Sequence, residues 1–216
     1  MSDLRFTLLS DGSSDRALIP ILTWLLRELT PDRAIQSEWA DLRRLPEKPK
    51  TLAERIVRSV DLFECDLLFV HRDAEREPLE HRVNEIREAV TCLNDEWIAV
   101  PVICVIPVRM QEAWLLFDER AIRRASGNPN GTEALHLPKL NRLEHLPDPK
   151  EILYQLLRQA SGLKGRRLAR FQAHSYAPQV SAFIEDFTPL RTLPAFEFVE
   201  SELRGLVIEQ DWADIS

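Results

Sequence analysis

Leu67-Leu68-Phe69-Val70-His71-Arg72-Asp73-Ala74-Glu75 is the stretch that decides the architecture. Its four consecutive apolar residues are too few for a helix and leave no position to turn toward water. A strand of this kind is covered on both faces, as in a parallel sheet flanked by helices. The run ends abruptly in charge, so the strand delivers Asp73 and Glu75 straight to one edge of that sheet.

The flanking sequence repeats the alternation. Leu4 to Leu9 reads as a first strand, followed by a polar loop at Ser10 to Ser14 and a helix with Leu18, Ile21, Leu22, Leu25, Leu26 and Leu29 at helical spacing. A weaker strand at Ile35 to Ala40 precedes a helix from about Thr51, on which Leu52, Ile56, Val60 and Phe63 share a face. Beyond Glu75 come a helical stripe of Leu79, Val83, Ile86, Val90 and Leu93, and then a Val- and Ile-rich strand from Ala99 to Val108. Strands alternating with helices predict an α/β fold, a mainly parallel sheet with helices on both faces, over residues 1–125. From Ser126 to Pro149 the composition shifts to Asn, Pro, Gly, His and Lys, which marks a long loop. Asp148-Pro149-Lys150-Glu151 then has the cap, proline and glutamate of a helix start, and Phe196, Val199, Leu203 and Leu206 form a last amphipathic helix opening at Pro194. Residues 126–216 are therefore expected as a loop and helical C-terminal extension packed on the core in one structural unit.

Composition narrows the function classes. With 44% apolar and 29% charged residues the chain is not generally disordered, and no apolar run approaches the ~20 residues that cross a bilayer. Met1 to Leu9 runs directly into Ser10-Asp11-Gly12 without the long apolar region of a secretory signal, so no membrane partner and a cytoplasmic location are expected. Cys65, Cys92 and Cys104 are odd in number and far apart, which fits buried free thiols better than disulfides or a zinc motif. A net charge of -7 argues against a surface built throughout for nucleic acid. Any such contact must be local, and the run Arg158 to Arg170, which holds Lys164, Arg166, Arg167 and Arg170 without an acidic residue, is where it would fall.

Parallel sheets place ligands beyond the carboxyl ends of their strands. Asp11 and Asp15 flank Gly12-Ser13-Ser14 after the first strand, and Asp73 and Glu75 follow the third. Residues two apart in extended chain point to one side, so Asp73 and Glu75 can present two carboxylates to one point. Oxygen-only ligands of this kind suit Mg2+ or Mn2+, and Asp11 and Asp15 make room for a second cation. The same residues also fit a plainer reading: Ser13, Ser14 and Asp15 as helix caps, and Asp73 and Glu75 in ion pairs with His71, Arg72 and Arg76. His81, His136, His145 and His174 have no metal-ligand spacing, and Trp114 reads as core.

The order of a strand, Asp11-Gly12-Ser13-Ser14-Asp15, a helix and an apolar strand ending in Asp73-Ala74-Glu75 resembles the Toprim domain of topoisomerases, primases and nucleases. More closely, the chain resembles a Toprim-like prokaryotic family, domain of unknown function 4276. Further pointers are the segment Pro107 to Leu116 with its Glu112-Ala113-Trp114 core, the pairs Pro138-Lys139 and Pro149-Lys150, and Pro194 to Phe198. The family usually has glutamate where this chain has Asp11, a reach shorter by about 1.5 Å, and Toprim domains prefer aspartate where it has Glu75. The resemblance implies a Toprim/Rossmann-like fold and metal-assisted phosphodiester cleavage or phosphoryl transfer, with a setting in prokaryotic defence. Asp11, Asp73 and Glu75 would ligate Mg2+ or Mn2+, and Asp11, Asp15 and Glu112 would be the catalytic acids. Gly12, Ser13 and Ser14 would meet phosphate, and Lys164, Arg166, Arg167 and Arg170 would clamp a nucleic-acid backbone. The alternative is a catalytically inactive module of the same fold that binds a partner protein or nucleotide.

Overall fold

The structure, a computed structural model, describes residues 3–75, 77–93 and 100–213. Strand β1 (Leu4–Leu9) leads through a short 3-10 turn (Ser13–Ala17) into α1 (Leu18–Leu29). Then follow β2 (Ile35–Trp39), α2 (Leu52–Leu62), β3 (Leu67–His71), α3 (Leu79–Thr91) and β4 (Val102–Val105). Every pairing is parallel, in the order β2-β1-β3-β4, with Leu8 opposite both Trp39 and Phe69, and Phe69 opposite Ile103.

Both faces of the sheet are covered, and the alternation of side chains along each strand decides which residue goes where. Leu4, Phe6, Leu8, Leu67, Phe69, Ile103 and Val105 share one core with Leu18, Ile21, Leu22 and Leu25 of α1. On that face the Phe6 and Phe69 rings meet edge to face at 5.3 Å. Leu9, Leu68, Val70 and Cys104 face the other way, against Ile56 of α2 and Val83 and Ile86 of α3.

The rest of the chain is helical. It comprises α4 (Glu119–Ala125), α5 (Pro149–Ala160), α6 (Gly165–Ala169), α7 (Ala173–Tyr176) and α8 (Pro194–Glu209), joined by 3-10 turns. Phe196, Val199 and Leu203 of α8 enter the same core as β1 and β3, and the Phe196 ring stands 5.4 Å from that of fully buried Trp114.

Helix starts follow their capping signals. Thr51 Oγ1 accepts the Glu54 N–H at 3.1 Å and Glu54 accepts the Thr51 N–H in return, while Asp148 Oδ1 accepts the Glu151 N–H at 2.9 Å ahead of Pro149. The fourth strand is shorter than the apolar run from Ala99 to Val108 suggests. Pro101 and Pro107 bracket it, and proline has no N–H to give to a ladder. Ala99, like Arg76, lies outside the described residues. The crossing from Ser126 to Pro149 has no strand; it holds a 3-10 turn at Leu140–His145 and is pinned by buried Leu135 and Leu143.

Candidate functional site

The chain leaves β1 for β2 on one side and returns past it to β3 on the other, so the strand order reverses between β1 and β3. At such a reversal the following helices depart to opposite faces and a crevice opens beyond the carboxyl ends of the two strands. Here α1, after β1, lies on one face and α3, after β3, on the other, and the loops carrying Asp11 to Asp15 and Asp73 to Glu75 border that crevice.

Asp15 caps and does more. Its Oδ2 accepts the Gly12 N–H at 2.7 Å, while Oδ1 accepts from Ser14 Oγ at 3.1 Å and from Gln111 Nε2 at 3.0 Å. The side chain is buried, which a carboxylate tolerates only when its lone pairs are met in this way. Gly12 N–H and the Ser14 hydroxyl are thereby committed to Asp15, and Ser13 is exposed. Asp11 turns outward to Arg55 Nη1 at 2.5 Å and Arg72 Nε at 3.5 Å.

Asp73 is the perturbed group. Its Oδ1 accepts the Gln111 N–H at 3.2 Å and faces His71 Nε2 at 3.5 Å. Burial pushes its carboxyl up; His71 opposes this, and the neighbouring Glu112 and Asp15 carboxylates raise it further, leaving a pKa of about 6. A third of the side chain remains exposed, so a ligand can still reach it. His71 is itself buried, with Nδ1 3.0 Å from the Val105 carbonyl. Since a carbonyl only accepts, Nδ1 carries the proton and Nε2 is left for Asp73.

Glu112, on a 3-10 turn (Gln111–Leu115) after β4, is 4% exposed, and its Oε1 lies 3.4 Å from Lys150 Nζ at the start of α5. Burial alone would lower the lysine, but the charge and hydrogen bond of Glu112 hold it above its usual value. Gln111 joins the two acidic loops, its backbone to Asp73 and its side chain to Asp15, while its own Oε1 is buried without a partner. Glu75 is exposed on a left-handed backbone (φ 54°), and its N–H donates to the carbonyl of Arg109, which is also left-handed (φ 67°). Two such residues bonded across adjacent strand ends place backbone strain beside the crevice.

Of the residues singled out in the sequence, Asp15 and Glu112 both act on Asp73, whereas Asp11 is engaged by arginines and Glu75 stands at the exposed rim. Among the described residues no three His, Cys, Asp or Glu side chains are grouped closely enough to hold a metal ion. Lys164, Arg166, Arg167 and Arg170 are all exposed on and around α6. Phe171 and Tyr176 nearby stack on each other, 4.8 Å apart and nearly parallel.

His71, Gln111 and Lys150 complete the site. The sequence offers His71 only as an ion-pair partner of the acidic pair, and Gln111 and Lys150 only within segments that carry the family resemblance, with no functional role for either. Comparison of the chain with family profiles, with curated proteins and with solved structures gave no match.

Proposed function

We propose that the protein cleaves or transfers phosphodiester or phosphoryl groups with the help of Mg2+ or Mn2+, as a Toprim-like protein acting on nucleic acid in the cytoplasm, in a prokaryotic defence setting. The observation that carries this reading is the Asp73 carboxyl, pushed up by its burial and further by Glu112 and Asp15, at the reversal point of the sheet. A buried carboxyl that neighbouring carboxylates raise further is relieved by a cation, and an oxygen-only donor set suits a hard one. Asp73 would ligate it, and Asp15 and Glu112, not grouped closely enough with Asp73 for a shared inner sphere, would reach it only through water, with Glu75 and Asp11 at the rim. Once bound, such an ion polarises a phosphoryl oxygen and acidifies water. His71 keeps Asp73 oriented, and Lys150, released from Glu112, offers its ammonium to a phosphate oxygen.

A second reading has its own support. Asp11 is paired with two arginines and Glu112 with a lysine, an arrangement that also fits a catalytically inactive module binding a partner protein or nucleotide. Calorimetric titration of Mn2+ into the wild type and the Asp73→Asn variant separates the two, followed by incubation with single- and double-stranded DNA and RNA. Saturable binding that the variant loses, together with metal-dependent cleavage, is the expected result. Absence of binding at millimolar Mn2+ would leave the module reading.

A further inference from the structure

Outside the carboxyl end of β2 lies a cavity of about 310 Å3 whose lining includes Trp39, Arg43, Lys48, Lys50 and Arg55. Its inner wall is Ser10 and Asp11, so it opens directly beside the crevice between β1 and β3. Four basic side chains meet only two carboxylates there, Asp11 and Asp41, in a chain whose net charge is -7. Both carboxylates are already held by arginines, Asp11 by Arg55 and Asp41 by Arg43 at 2.7 Å. Nearby Glu54 directs its carboxylate to the backbone N–H groups of Lys50 and Thr51. Lys48 and Lys50 are both exposed in the cavity's lining, Lys50 within electrostatic reach of Glu54.

The aromatic wall is pinned. Trp39 is half-buried, and its indole N–H donates to Ser10 Oγ at 2.9 Å. The guanidinium groups of Arg43 and Arg16 lie over the ring, 4.9 and 5.6 Å from its centroid, and so take up the indole's own stacking surface. The exposed guanidinium plane of Arg43 is then the face on which a base can stack, and the lysine ammonium groups are donors for its phosphate. The volume falls at the small end of ligand pockets, which run from roughly 300 Å3 upward, and suits one nucleotide.

We propose that this cavity is a nucleoside-phosphate subsite that seats the nucleotide next to the one presented to the acidic crevice. The proposal rests on the phosphodiester reading for the ligand's relation to Asp73, but binding at the subsite needs no metal. Its test is therefore made in chelator, by titrating AMP and, separately, a short single-stranded oligodeoxynucleotide into the wild type and into a Lys48→Glu/Lys50→Glu variant. A Lys48→Ala/Lys50→Ala variant guards against a spurious effect of the introduced acid, and Asp73→Asn is run alongside. Each ammonium lost is expected to weaken binding by about tenfold, with Asp73→Asn still binding and the indole emission change abolished by Trp39→Phe. Saturation by AMP marks a mononucleotide pocket; binding of the oligonucleotide alone, with a steep salt dependence, marks the path of a strand. Equal affinity in wild type and both lysine variants, or no binding of either probe, overturns the proposal. Retained binding in a protein that takes up no Mn2+ would leave the subsite standing and remove the catalytic reading.

Discussion

Asp73 has a pH signature that follows from its surroundings. Its pKa is about 6 in the folded chain and ~3.9 when unfolded, so between those values the native state holds more protons. The stabilising contribution is complete below about pH 4 and is lost as the pH rises through 6. Asp73→Asn, which keeps an acceptor for the Gln111 N–H but carries no charge, should melt like the wild type near pH 4 and at a higher temperature at pH 8 in chelator. Thermal melts across that range read this directly, and an equal difference from the wild type at both ends would show that the Asp73 carboxyl is not held above its ordinary value by burial and its neighbours. The acid itself was legible in the sequence because an apolar strand ended on it. Gln111 and Lys150 were not, since they meet Asp73 and Glu112 across 38 residues in each case, a proximity that only the fold creates.

Among the elements, those with a strong local signal formed where expected and those governed by neighbours did not. Strand β1, helix α1 and the start of α5 match their periodicity and caps, because apolar spacing and a capping aspartate act within a few residues. Removing the Asp148 side chain in Asp148→Ala should accordingly cost about 1 kcal/mol, measured by urea denaturation. Strand β4 was overread, since the apolar run continues while its bracketing prolines end the ladder. The loop at Asp11 to Asp15 was only half legible. Its capping role was local, but the turn of Asp11 toward Arg55 and Arg72 depends on α2 and on the end of β3. An acidic residue in a strand-end loop names a place in the fold, and the arginines arriving from elsewhere decide which way it points.

Across the whole molecule, the C-terminal helices are part of the sheet's own core. Val199 and Leu203 of α8 share it with Phe6 and Phe69, so one face of the sheet is closed by residues far away in the chain. A fragment of residues 1–125 should therefore fail to fold: far-ultraviolet circular dichroism should lack a cooperative melt, and its amides should exchange without protection. A protected, cooperative fragment would show that α1, α2 and α3 suffice to hold the sheet without α8. No helix among the described residues is long and apolar enough to cross a membrane. The late arrival of α8 also bears on synthesis. As the chain leaves the ribosome, all four strands emerge while Phe6, Leu8 and Phe69 have only α1 over them, and the nascent sheet must wait, part of that side still bare, until α8 follows. Cells making this protein quickly should need a holding chaperone through that interval, and slowing translation before α8 should increase the aggregated fraction.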